Sequence, residues 1–199
     1  MRGSIVAATM VEQVRSSHLS KRASIAGAIL VLGSVVALAE QRIDLTAERV
    51  TEAVSKAKTG KTELMEEIER ALAQSKDVEV PKGLLPLFTS LLKEPSPRIQ
   101  RFGLAGMTHF KDRKSQADLV EFITKTDPRN LEKQWGNDPQ REPEYSRIML
   151  NVALAVCLLG EVGDQSVLPV LESLRGIKDL QLEWKGAVVV PAIDSIRKR

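Results

Sequence analysis

The chain has 199 residues, enough for one domain with a core of its own. Its 29 Lys+Arg against 26 Asp+Glu give a formal net charge of +3, but residues 1–39 hold Arg2, Arg15, Lys21 and Arg22 against Glu12 alone, so residues 40–199 carry 25 of each and are neutral. Phosphate neutralisation drives nucleic-acid affinity; a neutral 40–199 with aromatics at only 4% argues against such a partner.

Ala23–Ala39 (ASIAGAILVLGSVVALA) is seventeen residues without a charge, preceded by Lys21-Arg22 and followed by Glu40-Gln41-Arg42. That is the layout of a secretory signal, with Ala37 and Ala39 at the third and first positions before a cut between Ala39 and Glu40. As a helix the stretch spans about 26 Å, near the lower limit for crossing a bilayer, so an uncleaved anchor fits the same pattern. The charged flank is long for a signal, which leaves Met1 and Met10 both open as the start. A buried core helix is a third reading, disfavoured because no polar face exists. Signal and anchor alike place residues 40–199 outside the cytoplasm, periplasmic or extracellular, with the membrane met only through residues 1–39.

Thr46 caps a helix from Ala47 to about Lys58, Gly60 ends it, and Thr62 caps a second from Glu63 to about Ser75. Leu64, Met65, Ile68, Ala71 and Leu72 form the second helix's apolar stripe, and Glu67 with Arg70 is a surface pair at helical spacing. Asp77–Lys82 reads as a loop and Leu84–Lys93 as a short helix with Pro86 in its first turn. Ser96 and Pro97 are the N-cap and first position of the next helix, whose apolar side is Ile99, Phe102, Leu104, Ala105, Met107 and Phe110. After the polar turn at Lys111–Ser115, whose cations read as solvated, Leu119, Val120, Phe122 and Ile123 mark another helix.

Asp127–Pro143 (DPRNLEKQWGNDPQREP), with three Pro, one Gly and two Asn, reads as a surface loop. Trp135 within it is the one candidate partner-binding residue, since Trp is favoured at interface hot spots; the competing role is a cover over neighbouring helices. Ser146–Leu159 is apolar almost all round and so must be buried on most sides, Cys157 with it as a small core residue. Gly160 and Gly163 end that helix, and Asp164 caps another carrying Val167, Leu168, Val170, Leu171 and Leu174. A last helix covers 183–198 and includes Trp184.

Shifting the chain by fifty residues lays Leu104-Ala105 on Leu154-Ala155. Hairpins at about 47–75, 84–126 and 144–175 and the final helix cannot each cover their own apolar surface, so they must stack. The segments GLLPLFTSLLKEPSPRIQRFGLAGM and NVALAVCLLGEVGDQSVLPVLESL resemble HEAT-type helical repeats, a likeness covering Leu84–Arg199. The departure is Asp127–Pro143, longer than the usual inter-repeat turn. The resemblance implies an all-α, armadillo-like solenoid of stacked helical hairpins, here preceded by the N-terminal hydrophobic helix, and a protein-binding scaffold.

His18, His109 and Cys157 assemble no zinc site, and neither a phosphate loop nor a G-x-S-x-G elbow occurs. The expectation is no catalytic, cofactor or metal residue: a non-catalytic scaffold that binds another protein. The competing class is a HEAT-like enzyme or accessory factor for a small ligand or nucleic acid, which needs a concave face rich in Lys/Arg and aromatics.

Overall fold

Thr46 opens the first helix as its position predicts: its Oγ1 accepts from the Arg49 amide at 3.2 Å. Helix α1 (Ala47–Lys58) has Glu48 in its first turn and Lys56 and Lys58 in its last, both favourable to the helix dipole. In this computed structural model residues 45–74, 80–135, 138–180 and 187–199 are described, all within one compact unit, Gln41–Arg199. The expected leader, its cleavage positions Ala37, Ala39 and Glu40, and Trp184 lie outside the described residues. Among those residues every regular element is helical and none is a strand, so the fold is all-α.

Helix α2 (Glu63–Gln74) follows Gly60, whose φ of 86° turns the chain. Met65, Ile68 and Leu72 are buried, while Leu64 and Ala71 are half-buried. The expected Glu67–Arg70 surface pair gives way to pairs between helices: Arg49 to Glu67 at 2.7 Å, and Arg98 to Glu66 at 2.5 Å. Carboxylates on α2 reach cations on neighbouring helices because the apolar stripe turns those helices toward its flanks.

Helix α3 (Leu85–Ser90) is short, bracketed by 3-10 turns at Lys82–Leu84 and Leu91–Lys93. Helix α4 (Pro97–Met107) begins at the predicted Ser96-Pro97 step. The Ser96 hydroxyl makes no cap bond; Pro97, with its fixed φ, sets the start by itself. Phe88 of α3 lies across α4 at Gly106, where a Cβ would come within 2.3 Å of its ring, and stacks edge-on to Phe102 at 5.8 Å between centroids.

Helix α5 (Gln116–Thr126) ends at Asp127, the one non-glycine residue with positive φ (45°) among those described. The predicted loop 127–143 is then overturned in part, because Pro128–Trp135 is a helix, α6. The cause is the Asp127-Pro128 step. Asp127 Oδ1 accepts from the Asn130 amide at 3.4 Å and Pro128 takes the first helical position. Leu131 and Trp135, one turn apart, then pack on the core.

Helix α7 (Glu142–Val162, 21 residues) is the longest described. Two expectations fail on it. Gly160 does not end the helix; it lies inside it, because Ala192 packs there so closely that a Cβ would sit 2.9 Å from the Ala192 Cα. Cys157 is exposed and not a core residue, and Leu150 is 43% exposed. Positions 150 and 157 share one side of the helix, and that side is left uncovered while Met149, Val152, Val156 and Leu159 are buried. Asn151, absent from the apolar reading, is buried at 1% exposure and donates from Nδ2 to the Pro97 carbonyl at 2.7 Å.

Asp164 caps the next turn as predicted, accepting from the Ser166 amide at 2.9 Å, and leads into α8 (Leu168–Ser173). Helix α9 (Val189–Arg197) stands where the 183–198 helix is expected but starts later, since Ala187 and Val188 are described and not helical. Arg199 donates to the carbonyls of Gly160 at 2.6 Å and Glu161 at 2.5 Å, closing the end of α7.

Helix α1 packs chiefly on α2, within the 47–75 hairpin read off the sequence. The turns at Lys111–Ser115 and Gly163-Asp164 suggest α4 with α5 and α7 with α8; instead α3 packs chiefly on α4, α5 on α7 and α8 on α9. Helix α4 also packs on α2 and α7, and α7 on α9. The glycines select the partners: Gly103 and Gly106 let α3 approach α4, and Gly160 lets α9 approach α7.

Candidate interaction groove

Trp135 closes α6 half-buried against the core, with the Arg141 guanidinium over its ring at 4.9 Å. Arg141 is placed by Asp138 at 3.7 Å, and the Asp138 amide donates to the Trp135 carbonyl at 2.9 Å. The indole therefore packs against the core and has a cation over its ring, with part of the side chain left to solvent.

The concave site lies beside α6, where α5, α6 and α7 meet the 93–97 link. It has a volume of about 500 Å³. Leu92 and Phe122, both buried, and the half-buried Leu131 and Ile148 supply its apolar surface, with Pro95 and Pro97 on the link. Gln100 holds that link by donating from Nε2 to the Glu94 carbonyl at 2.8 Å.

The rim is charged. Lys93 and Lys125 face four carboxylates, Glu94, Asp118, Glu121 and Glu144. Lys125 pairs with Glu121 at 2.5 Å, and Lys58 of α1 pairs with Glu94 at 2.8 Å. The Lys125 hydrogen bond and charge, and then the Lys93 charge, hold the Glu121 carboxyl below its usual range. Asp118 and Glu144 take no ion pair among the described residues. None of these rim residues was singled out from the sequence. A signal exists all the same: Asp118, Glu121 and Lys125 fall at i, i+3 and i+7, one face of α5.

Other ionisable groups are tuned by burial. His109 sits in a partly buried site that pushes its imidazole down, against a backbone hydrogen bond with Leu72 that raises it. It lies just past the end of α4. Burial raises the Glu69 carboxyl despite Arg101 and Arg98 nearby. Tyr145 is pushed up by burial and by the Asp179 carboxylate. Although the Cys157 residue is exposed, partial desolvation of its sulfur and then the Glu161 charge raise its thiol above the ordinary range. Among the described residues no three His, Cys, Asp or Glu side chains gather as metal ligands.

Helix α7 has the length and composition to cross a bilayer, and 56% of its apolar window is buried inside the protein. Its apolar character is accounted for by contact with α4, α5, α6 and α9. No protein-family model, no curated protein and no solved structure matches the chain.

Proposed function

We propose that residues 40–199 form a non-catalytic helical-repeat scaffold that binds another protein, outside the cytoplasm or held to a membrane by residues 1–39. The solenoid part of this reading is supported by the order of contacts. Helices α2, α4, α7 and α9 touch in succession, and each carries one partner, α1, α3, α5 and α8. The partners are tied at their ends, Lys58 to Glu94 at 2.8 Å and Gln116 to the Asp164 amide at 2.9 Å and the Ser166 hydroxyl at 3.0 Å. Asp112 and Asp164 both cap a 3-10 turn that leads into a helix, which is how a recurring unit would look.

The observation that carries the binding role is the groove: an apolar floor with a charged rim, formed by packed helices, with two carboxylates out of ion pairs among the described residues. Its volume also suits a small ligand, which keeps the enzyme or accessory-factor reading as the second one. A nucleic-acid ligand is disfavoured by the excess of carboxylates on the rim.

The test uses the full-length chain in its native host. Affinity capture from separated cell fractions, titrated with competing untagged chain, is expected to return a saturable protein partner from the envelope or extracellular fraction. Non-saturable capture alone contradicts the scaffold. The N-terminal residue locates the chain: Glu40 in a soluble extracytoplasmic fraction supports a cleaved leader, and an intact Met in the membrane supports an anchor. An intact Met in the cytosol overturns the localisation.

A further inference from the structure

The groove's charge and its floor together specify an occupant. Two of its four carboxylates are already matched, Glu121 by Lys125 and Glu94 by Lys58. Asp118, half-buried on α5, and Glu144, exposed at the start of α7, are not matched among the described residues. Lys93 is the one rim cation without a carboxylate in ion-pair contact among those residues, and it faces Glu121. The uncommitted charge is therefore acidic by one. An anionic ligand, whether nucleic acid, phosphate or an acidic lipid surface, would meet like charge here.

Charge by itself would suit any small cation, but the floor narrows the choice. Leu131 and Ile148 are half-buried and line the cavity together with the prolines of the 93–97 link. A hydrated ion leaves that apolar surface wet, whereas an aliphatic side chain covers it. The rim carboxylates stand beside the floor on α5 and α7, so one occupant meets both only if it carries an apolar and a basic group close together. Lys and Arg do this in part with their own stems, and a neighbouring Leu, Val or Ile completes it.

We propose that the groove docks a short segment of a partner protein in which a basic side chain stands beside an aliphatic one, the ammonium or guanidinium on Asp118 and Glu144 and the aliphatic group against Leu131 and Ile148. This rests on the scaffold reading and names its partner's chemistry. Because the pairs are partly exposed, they select the partner more than they hold it.

The test is fluorescence anisotropy of the full-length chain with two labelled peptides of alternating Leu and Lys or alternating Leu and Glu. The Leu/Lys peptide is expected to bind saturably, more weakly as salt is raised. The Leu/Glu peptide is expected not to bind. The variant D118N/E144Q, which alters only rim groups and is checked by circular dichroism, is expected to bind the Leu/Lys peptide about tenfold more weakly, the scale of two partly exposed charge pairs. Equal binding of both peptides, unchanged binding by the variant, or no binding by the native chain overturns the proposal. A saturable partner captured equally by native chain and D118N/E144Q leaves the scaffold standing and removes the groove as its docking site.

Discussion

Gly106→Ala decides whether α3 lies on α4 as described. In a solvent-facing helix this change gains about 1 kcal/mol, because Ala is the better helix former. Here the new methyl would stand 2.3 Å from Phe88 Cδ1, 2.4 Å from Cε1 and 2.5 Å from Cγ. The ring cannot swing away. It is fully buried, set edge-on to Phe102 at 5.8 Å and near Phe110 at 6.3 Å. Either Phe88 leaves its rotamer or α3 lifts from α4, and overpacking of this kind costs about 1–3 kcal/mol. Three ring atoms collide at once, which places the cost at the upper end, so the net loss is about 1–2 kcal/mol after the helix gain. For a chain of this size that lowers Tm by roughly 2–8 °C. Urea and thermal melts of the full-length chain by far-UV circular dichroism measure it. Phe88→Leu added to Gly106→Ala is expected to cost less than the sum of the two single changes, since they relieve one clash. A Gly106→Ala chain as stable as the native one, or more stable, would refute the packing of α3 on α4.

Three further outcomes follow from the same structure. Asn151→Ala loses the bond to the Pro97 carbonyl and is expected to cost about 1–2 kcal/mol in urea melts, with Asn151→Asp costing more because it sets a carboxylate against that carbonyl. His109 has its folded pKa lowered from 6.5 by burial. Its contribution is therefore present above about pH 6.5 and lost as pH falls through the lowered pKa. The stability difference between native chain and His109→Gln, followed from pH 8 to pH 5, is expected to narrow on acidification; a widening difference contradicts the burial. Cys157, the single cysteine, is expected to react with Ellman's reagent without denaturant, and faster as pH rises because its thiol pKa is raised. A thiol released only by unfolding would restore it to the core.

Local chemistry was the legible part of this sequence. Thr46 and Asp164 cap where they should, and the stripes through Met65, Ile68 and Leu72 and through Val167, Leu171 and Leu174 are buried. What periodicity does not carry is which helix meets which. Gly160 read as a helix end because glycine both ends helices and admits close neighbours, and only the position of Ala192 separates the two uses. Asp127-Pro128 reads as loop punctuation, although Pro128 opens a helix as Pro97 opens α4. Cys157 and Leu150 looked buried because composition does not say which side of an apolar helix lacks a neighbour. The groove was illegible for a similar reason: Asp118, Glu121 and Glu144 look like solvated charge until α5, α6 and α7 fold around Leu131 and Ile148.

Docking of a protein partner in the groove beside α6 is the proposal on which the binding role rests. It is tested most directly by photo-cross-linking in the native host, with p-benzoylphenylalanine placed at Thr89, which lines the groove, or at Thr51, exposed on α1. One discrete protein adduct is expected from Thr89, diminished by D118N/E144Q, and none of that size from Thr51. No adduct from Thr89, or the same adduct from both positions, would contradict it.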